Sequence, residues 1–196
     1  MDMKHTRTLA EKWMWLGVFA ISVAGLYSLV PVVARTPQLK SLGIMQNFFD
    51  VALVVHVDLS VLVWFFAMLC MGASALMERV RAQWPYWGEA GFACSALATL
   101  LMALSPLDEW VPIKSNYIPV LHNQTFLLAL GLLLAGLIAT LLPVLITYLR
   151  PARFKALNAI ELGTVAASLV VMIGVAAYAL GAKALPDGLE LIEHYE

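Results

Sequence analysis

Long apolar runs, each parted from the next by proline and polar residues, set the pattern of this chain. The runs are continuous and do not alternate, so they predict helices and not strands. A helix needs roughly 20 apolar residues to cross a hydrocarbon core about 30 Å thick. Only helices or closed barrels satisfy the backbone there. The pattern predicts an all-α fold, a polytopic membrane helix bundle of about five spans. They are expected at residues 13–33, 48–77, 86–104, 120–149 and 156–180, in one domain covering residues 1–196. The segments "RTPQLKSLG", "ERVRAQWP", "SPLDEWVPIKSNYIP" and "RPARFK" mark the turns. The tail "KALPDGLELIEHYE" is expected to form a short surface helix.

Composition agrees with the pattern. Of 196 residues, 62% are hydrophobic and 13% charged, with a mean hydropathy of +0.84. Soluble domains hold about 25% charged residues. The formal net charge of -1 leaves no basic surface for nucleic acid. The first apolar run continues without a small-residue cleavage site, so it is read as a span and not a removed signal. Cys70 and Cys94 lie inside apolar runs, which argues against a disulfide framework. Lysine and arginine give the direction, because cytoplasmic segments carry their excess. With the N-terminus inside, the inner segments hold Lys4, Arg7, Lys12, Arg79, Arg81, Arg150, Arg153 and Lys155. The outer ones hold Arg35, Lys40, Lys114 and Lys183. The N-terminus is therefore expected in the cytoplasm and the C-terminus outside, in a bacterial-type inner membrane.

Candidate chemistry concentrates in the second run. In "NFFDVALVVHVDLSVLVWFF", His56 and Asp58 sit far from either end. His56 lies about 12 Å into the span at 1.5 Å per residue. An ionisable group at such depth marks a functional site by default. Neutral imidazole is the commonest metal ligand, and haem iron is often held by one. The bland alternative is an imidazole bonded to a carbonyl or serine of a neighbouring helix. Asp58 stands roughly 200° around the helix from His56, so the two face different ways. Asp58 is a candidate for a proton path; its bland reading is a carboxyl bonded to Ser22, to Ser95 or to another chain. Gly72, Ala73, Ala75 and the small residues of "GEAGFACSALA" would allow close approach of a flat cofactor or of another helix.

His122 opens the expected fourth span in "YIPVLHNQTF", about a turn in with Pro119 at an early helical position. It is a candidate second cofactor ligand or an interfacial residue. His5 and His194 fall in terminal segments and receive no role. Trp13, Trp15, Trp84, Trp87 and Trp110 cluster near span ends, as an aromatic belt would. Glu89 and Glu161 fall near inner span ends and are read as structural. No methionine motif has metal spacing.

The run "FDVALVVHVDLSVLVWFF" resembles the second transmembrane helix of haem-copper oxidase subunit I. That family's helix carries an aromatic, an acid or amide, a short apolar stretch and then a histidine. The neighbours also follow its order. A first span ends in Arg35 and a short loop, and a third span leads to a loop with tyrosine and proline. The resemblance extends to the N-terminal third to half of such a subunit. It implies that His56 is an axial ligand of a haem b. It does not extend to the later helices that carry the copper site, so copper is not expected, nor is oxygen or nitric oxide reduction by this chain alone. Electron transfer in a respiratory or nitrogen-oxide assembly, or gas sensing at an open haem face, is the expectation. The second axial ligand would be His122, His56 of a twofold-related copy, or a residue of another subunit. A homodimer or other respiratory-complex subunits are the expected partners, besides the lipid bilayer. Two rival readings remain: a non-catalytic structural or assembly subunit of an oxidase, and a copper-handling protein using His56 and His122.

Overall fold

The structure is a computed structural model that describes residues 3–37, 48–79, 85–107, 112–113 and 120–183. Five helices are long and apolar enough to cross a membrane, at Leu9–Arg35, Phe49–Met77, Tyr86–Leu107, Gln124–Tyr148 and Ala159–Ala177. This is a multi-pass membrane protein. Helix α1 (Met3–Arg35) begins ten residues ahead of the expected span and keeps Pro31 inside it. A proline is tolerated in an apolar rod because neighbours satisfy the freed carbonyl. The second span is one rod of three parts: α2 (Phe49–Val57), a π-helical turn (Asp58–Val63) and α3 (Trp64–Arg79).

Helix α4 (Pro85–Leu104) ends in a short 3₁₀ turn at Ser105–Leu107. A two-stranded antiparallel ribbon follows, β1 (Pro112–Ile113) against β2 (Val120–Leu121), with Pro112 opposite Leu121 and Ile113 opposite Val120. It packs beside α2. Helix α5 (Gln124–Tyr148) starts where Asn123 caps it, accepting a hydrogen bond from the Phe126 backbone N–H at 2.7 Å. Asparagine is a favoured N-cap because it satisfies an orphan N–H. The fourth span therefore starts at Gln124 and not at residue 120. The apolar pair Val120 and Leu121 belongs to the strand, and the fully buried Leu121 anchors it to the core. Helix α6 is the short Pro151–Phe154, and α7 is Ala159–Lys183. Asn158 and Glu161 bond reciprocally, side chain to backbone N–H, at 2.9 and 3.0 Å. This capping box fixes the first turn of α7, which gives Glu161 its structural role. The expected helix in the tail, His194, Trp84, Trp110 and Pro119 lie outside the described residues.

The first four spans alternate in direction along the chain. Along α1, Leu9 meets Gly88, the Trp13 ring meets Phe92 edge-on at 5.4 Å, and the Tyr27 hydroxyl donates to the Ala103 carbonyl at 2.7 Å. Helices α1 and α4 thus run parallel. Gly17 faces Trp64 and Ala67, and Ala24 faces His56, so the second rod runs antiparallel to α1. The closest crossing joins α4 to α5. Gly91 and Ser95 meet Gly136 and Thr140, small residues that let backbones approach as they do in membrane interiors. Helix α7 is the least buried span; Thr164 covers Gly72 of α3.

Trp13 departs from the aromatic-belt expectation. It is 1% exposed and lies against α4, whereas Trp15 and Trp87 are exposed. Beside it, Lys12 Nζ meets Glu89 Oε2 at 2.8 Å, with side chains 37% and 28% exposed. Partly solvated pairs of this kind are worth less than about 1 kcal/mol. Lys12→Met is therefore expected to shift the thermal unfolding midpoint by only a degree or two; a drop of ten degrees would reveal a desolvated pair.

Candidate functional site

The second rod supplies the chemistry. Its α-helical register places His56 and Asp58 on different faces, as their spacing predicted. His56 is half-buried at the seam with α1, and its Nδ1 lies 2.8 Å from the Ala24 carbonyl oxygen. An acceptor there makes Nδ1 the protonated nitrogen, so the lone pair resides on Nε2. The carbonyl thereby fixes both tautomer and ring orientation, as a carbonyl bonded to the far nitrogen does for a metal-binding histidine. Nothing in the sequence announced Ala24, because the acceptor is its backbone. Ser60 donates to the His56 carbonyl at 2.6 Å, one turn on, where the helix leaves α geometry. Next to the acceptor Ala24, Gly25 and Leu26 of α1 are exposed, as is Val61 of the second rod. A Cβ on Gly25 would meet nothing within 4 Å.

Asp58 opens the π turn and is 1% exposed. Neither of its carboxylate oxygens has a hydrogen-bond partner among the described residues. The expected bonds to Ser22 and Ser95 are not formed. Ser22 instead donates to the Val18 carbonyl at 2.7 Å, and Ser95 Oγ is itself buried and unpartnered. Helical serines often bond back to the carbonyl four residues earlier, and Ser22 spends its hydroxyl in that way. Asp58 contributes to packing only as a liability, since an unsatisfied buried polar group costs about 1–3 kcal/mol. Asp58→Leu is expected to leave the thermal midpoint unchanged or higher. A marked fall would mean that the carboxyl holds a partner from outside this chain.

His122 is exposed, in the link between β2 and α5. It does not sit a turn inside the fourth span, because Asn123 starts the helix after it. Asn123 Nδ2 also donates to the Ser105 carbonyl at 3.2 Å, tying the link to the end of the third span. The described residues hold no group of three His, Cys, Asp or Glu that could bind a metal ion. Cys70 and Cys94 are free thiols. The small residues near Gly72 and in the third span serve helix packing: Thr164 covers Gly72, Ala73 is fully buried, and Gly91 and Ser95 face α5.

The chain is 34% identical over 172 residues to an uncharacterized protein of Rickettsia prowazekii (strain Madrid E). The match takes in 76% of this chain and 33% of that protein, so the chain spans about a third of its relative's length. No family model matches the chain, and no solved structure matches it.

Proposed function

We propose that this protein holds a b-type haem through His56 and passes electrons within a membrane assembly that handles oxygen or nitrogen oxides. The observation that carries the reading is the His56 imidazole. It sits deep in an apolar span, and its Nδ1 is committed to the Ala24 carbonyl, which leaves Nε2 as the coordinating nitrogen. The residues fit one axial position of such a group. Ala24 and Ser60 support the histidine, and the open face beside Gly25 offers room for a ring. A haem b supplies a one-electron couple whose potential responds to axial ligand, burial and second-shell bonds. The protein's part is to hold the imidazole, to fix its tautomer and to keep water from the seam.

In this reading the chain stands to a longer protein as the front helices of haem-copper oxidase subunit I stand to the whole. The relative, more than twice as long as this chain, is consistent with such a division. The second axial ligand would come from His56 of a twofold-related copy, from His122 or from another subunit; a twofold axis brings identical ligands to equal depth. The bias of lysine and arginine favours a cytoplasmic N-terminus in a bacterial inner membrane. The scaffold reading draws on the same bond, since an imidazole donating to a neighbouring carbonyl also serves helix packing. The copper reading has less support, because His122 is exposed and no third donor joins the two histidines among the described residues.

The reduced-minus-oxidised absorption spectrum of protein purified from haem-supplied cells tests the proposal. A Soret band with a sharp reduced α band supports it. A colourless, metal-free preparation at full yield sinks it and leaves the scaffold.

A further inference from the structure

We infer that the turn joining α5 to α7 is a docking site for an anionic phospholipid headgroup. This turn is built and is not a loose connection. The Tyr148 hydroxyl donates to the Leu76 carbonyl at 2.6 Å and pins the end of α5 to α3. Pro151 takes the first helical position of α6, where its missing N–H costs nothing. The Arg150 carbonyl accepts from the N–H groups of Arg153 and Phe154, each at 3.0 Å, and the capping box at Asn158 closes the segment.

The turn presents Arg150, Arg153 and Lys155, all exposed. None of these side chains meets an acidic partner among the described residues. Along the sequence, no Asp or Glu falls between Glu109 and Glu161. Glu161 Oε2 is engaged by the Asn158 N–H. Arg150 is the residue before α6 and Arg153 lies within it, so both guanidinium groups belong to one short, fixed segment. Guanidinium forks match phosphate oxygens two at a time.

The hydrophobic company of these charges selects a lipid over a free anion. Phe154 is 44% exposed and Leu149 48% exposed, directly beside the cations and at the ends of two spans. A soluble phosphate has no use for that apolar surface, whereas a lipid places its phosphate and its acyl chains at these two depths. Charge bias that only sets insertion direction would need positive charge alone, so arginine and lysine would serve it equally.

The test uses the full chain, purified and delipidated in detergent. It is offered cardiolipin and phosphatidylcholine in equal amounts, and bound lipid is counted by native mass spectrometry. Wild type is expected to retain cardiolipin in preference to phosphatidylcholine. R150Q/R153Q should lose roughly fivefold in cardiolipin retention per charge removed, from about 1 kcal/mol per basic residue. R150K/R153K preserves the charge and the insertion signal, and is expected to fall between the two. Equal cardiolipin retention by wild type and both variants would overturn the site. So would displacement of cardiolipin by millimolar inorganic phosphate, because that describes a free-anion site.

Discussion

His56→Ala is expected to remove the Soret band from the purified protein while leaving its yield and helix content near those of wild type. The two effects separate because the imidazole is asked to do unequal things. As an interhelical hydrogen bond, His56 Nδ1 to the Ala24 carbonyl is worth about 0.6 kcal/mol and at most about 1.7 kcal/mol, the range for such bonds inside membranes. A loss of that size is tolerable in a chain with a continuous core from Leu9 through Val165. As the axial ligand of the proposed haem, its removal takes away the group that holds the iron. His122→Ala, at an exposed link outside the helix, should keep the band where the second ligand comes from a twofold copy or another subunit, and an altered band would assign that ligand to His122. If His56→Ala retains full absorbance, the ligand lies elsewhere and the proposed function fails. If it loses both colour and fold, His56→Gln separates the causes, since an amide can still donate to the Ala24 carbonyl but binds haem iron poorly.

The second large effect is expected at the α4–α5 crossing. A Cβ on Gly136 would fall 2.6 Å from the Gly91 carbonyl oxygen, 3.2 Å from the Ser95 nitrogen, and onto Ser95 Oγ. A Cβ on Gly91 would reach 2.8 Å from the Gly136 carbonyl oxygen and collide with Thr140 Oγ1. Backbone atoms cannot rotate aside, so the helices must part. Overpacking of this kind costs about 1–3 kcal/mol, and Gly136→Val should cost more than Gly136→Ala. Gly131 on the same helix and Gly174 on α7 have open space, with nothing within 4 Å of an added Cβ. Alanine there should be neutral, or stabilising by up to about 1 kcal/mol through helix propensity. Thermal midpoints in detergent compare the set; equal midpoints for Gly136→Ala and Gly131→Ala would refute the tight crossing.

The five spans were legible because continuous apolar runs leave few alternatives to a membrane helix. Their ends were less so. Val120 and Leu121 precede the fourth apolar run across His122, Asn123, Gln124 and Thr125, yet they pair with β1, and a short apolar pair cannot by itself tell a buried strand from a helix start. The signal that decides was present in "HNQTF", where Asn123 is a favoured cap. Trp13 misled for a different reason. Proximity to a span end suggests an interfacial ring, but α1 continues to Met3 and α4 lies alongside, so the ring is enclosed.

At the candidate site, the isolation of His56 and Asp58 in an apolar run was visible at once. Their opposite orientation followed from helical geometry. The bond of His56 to a backbone carbonyl could be named only as a class, because every residue of α1 offers the same acceptor. The buried serines looked like partners for Asp58. Their hydroxyls are governed by local helix geometry and packing, which a single sequence does not disclose.

The π turn has a consequence for anyone drawing the second span as a helical wheel. A π turn holds about one residue more than an α turn, so it puts the stretches on either side out of phase by about 100°. A stripe traced from Phe49 at the usual 3.6-residue period lands on the wrong side of the shaft once it passes Val63. The half bearing the imidazole and the half gripping α7 at Gly72 thus stand about 100° away from the relation an unbroken α-helix would give them.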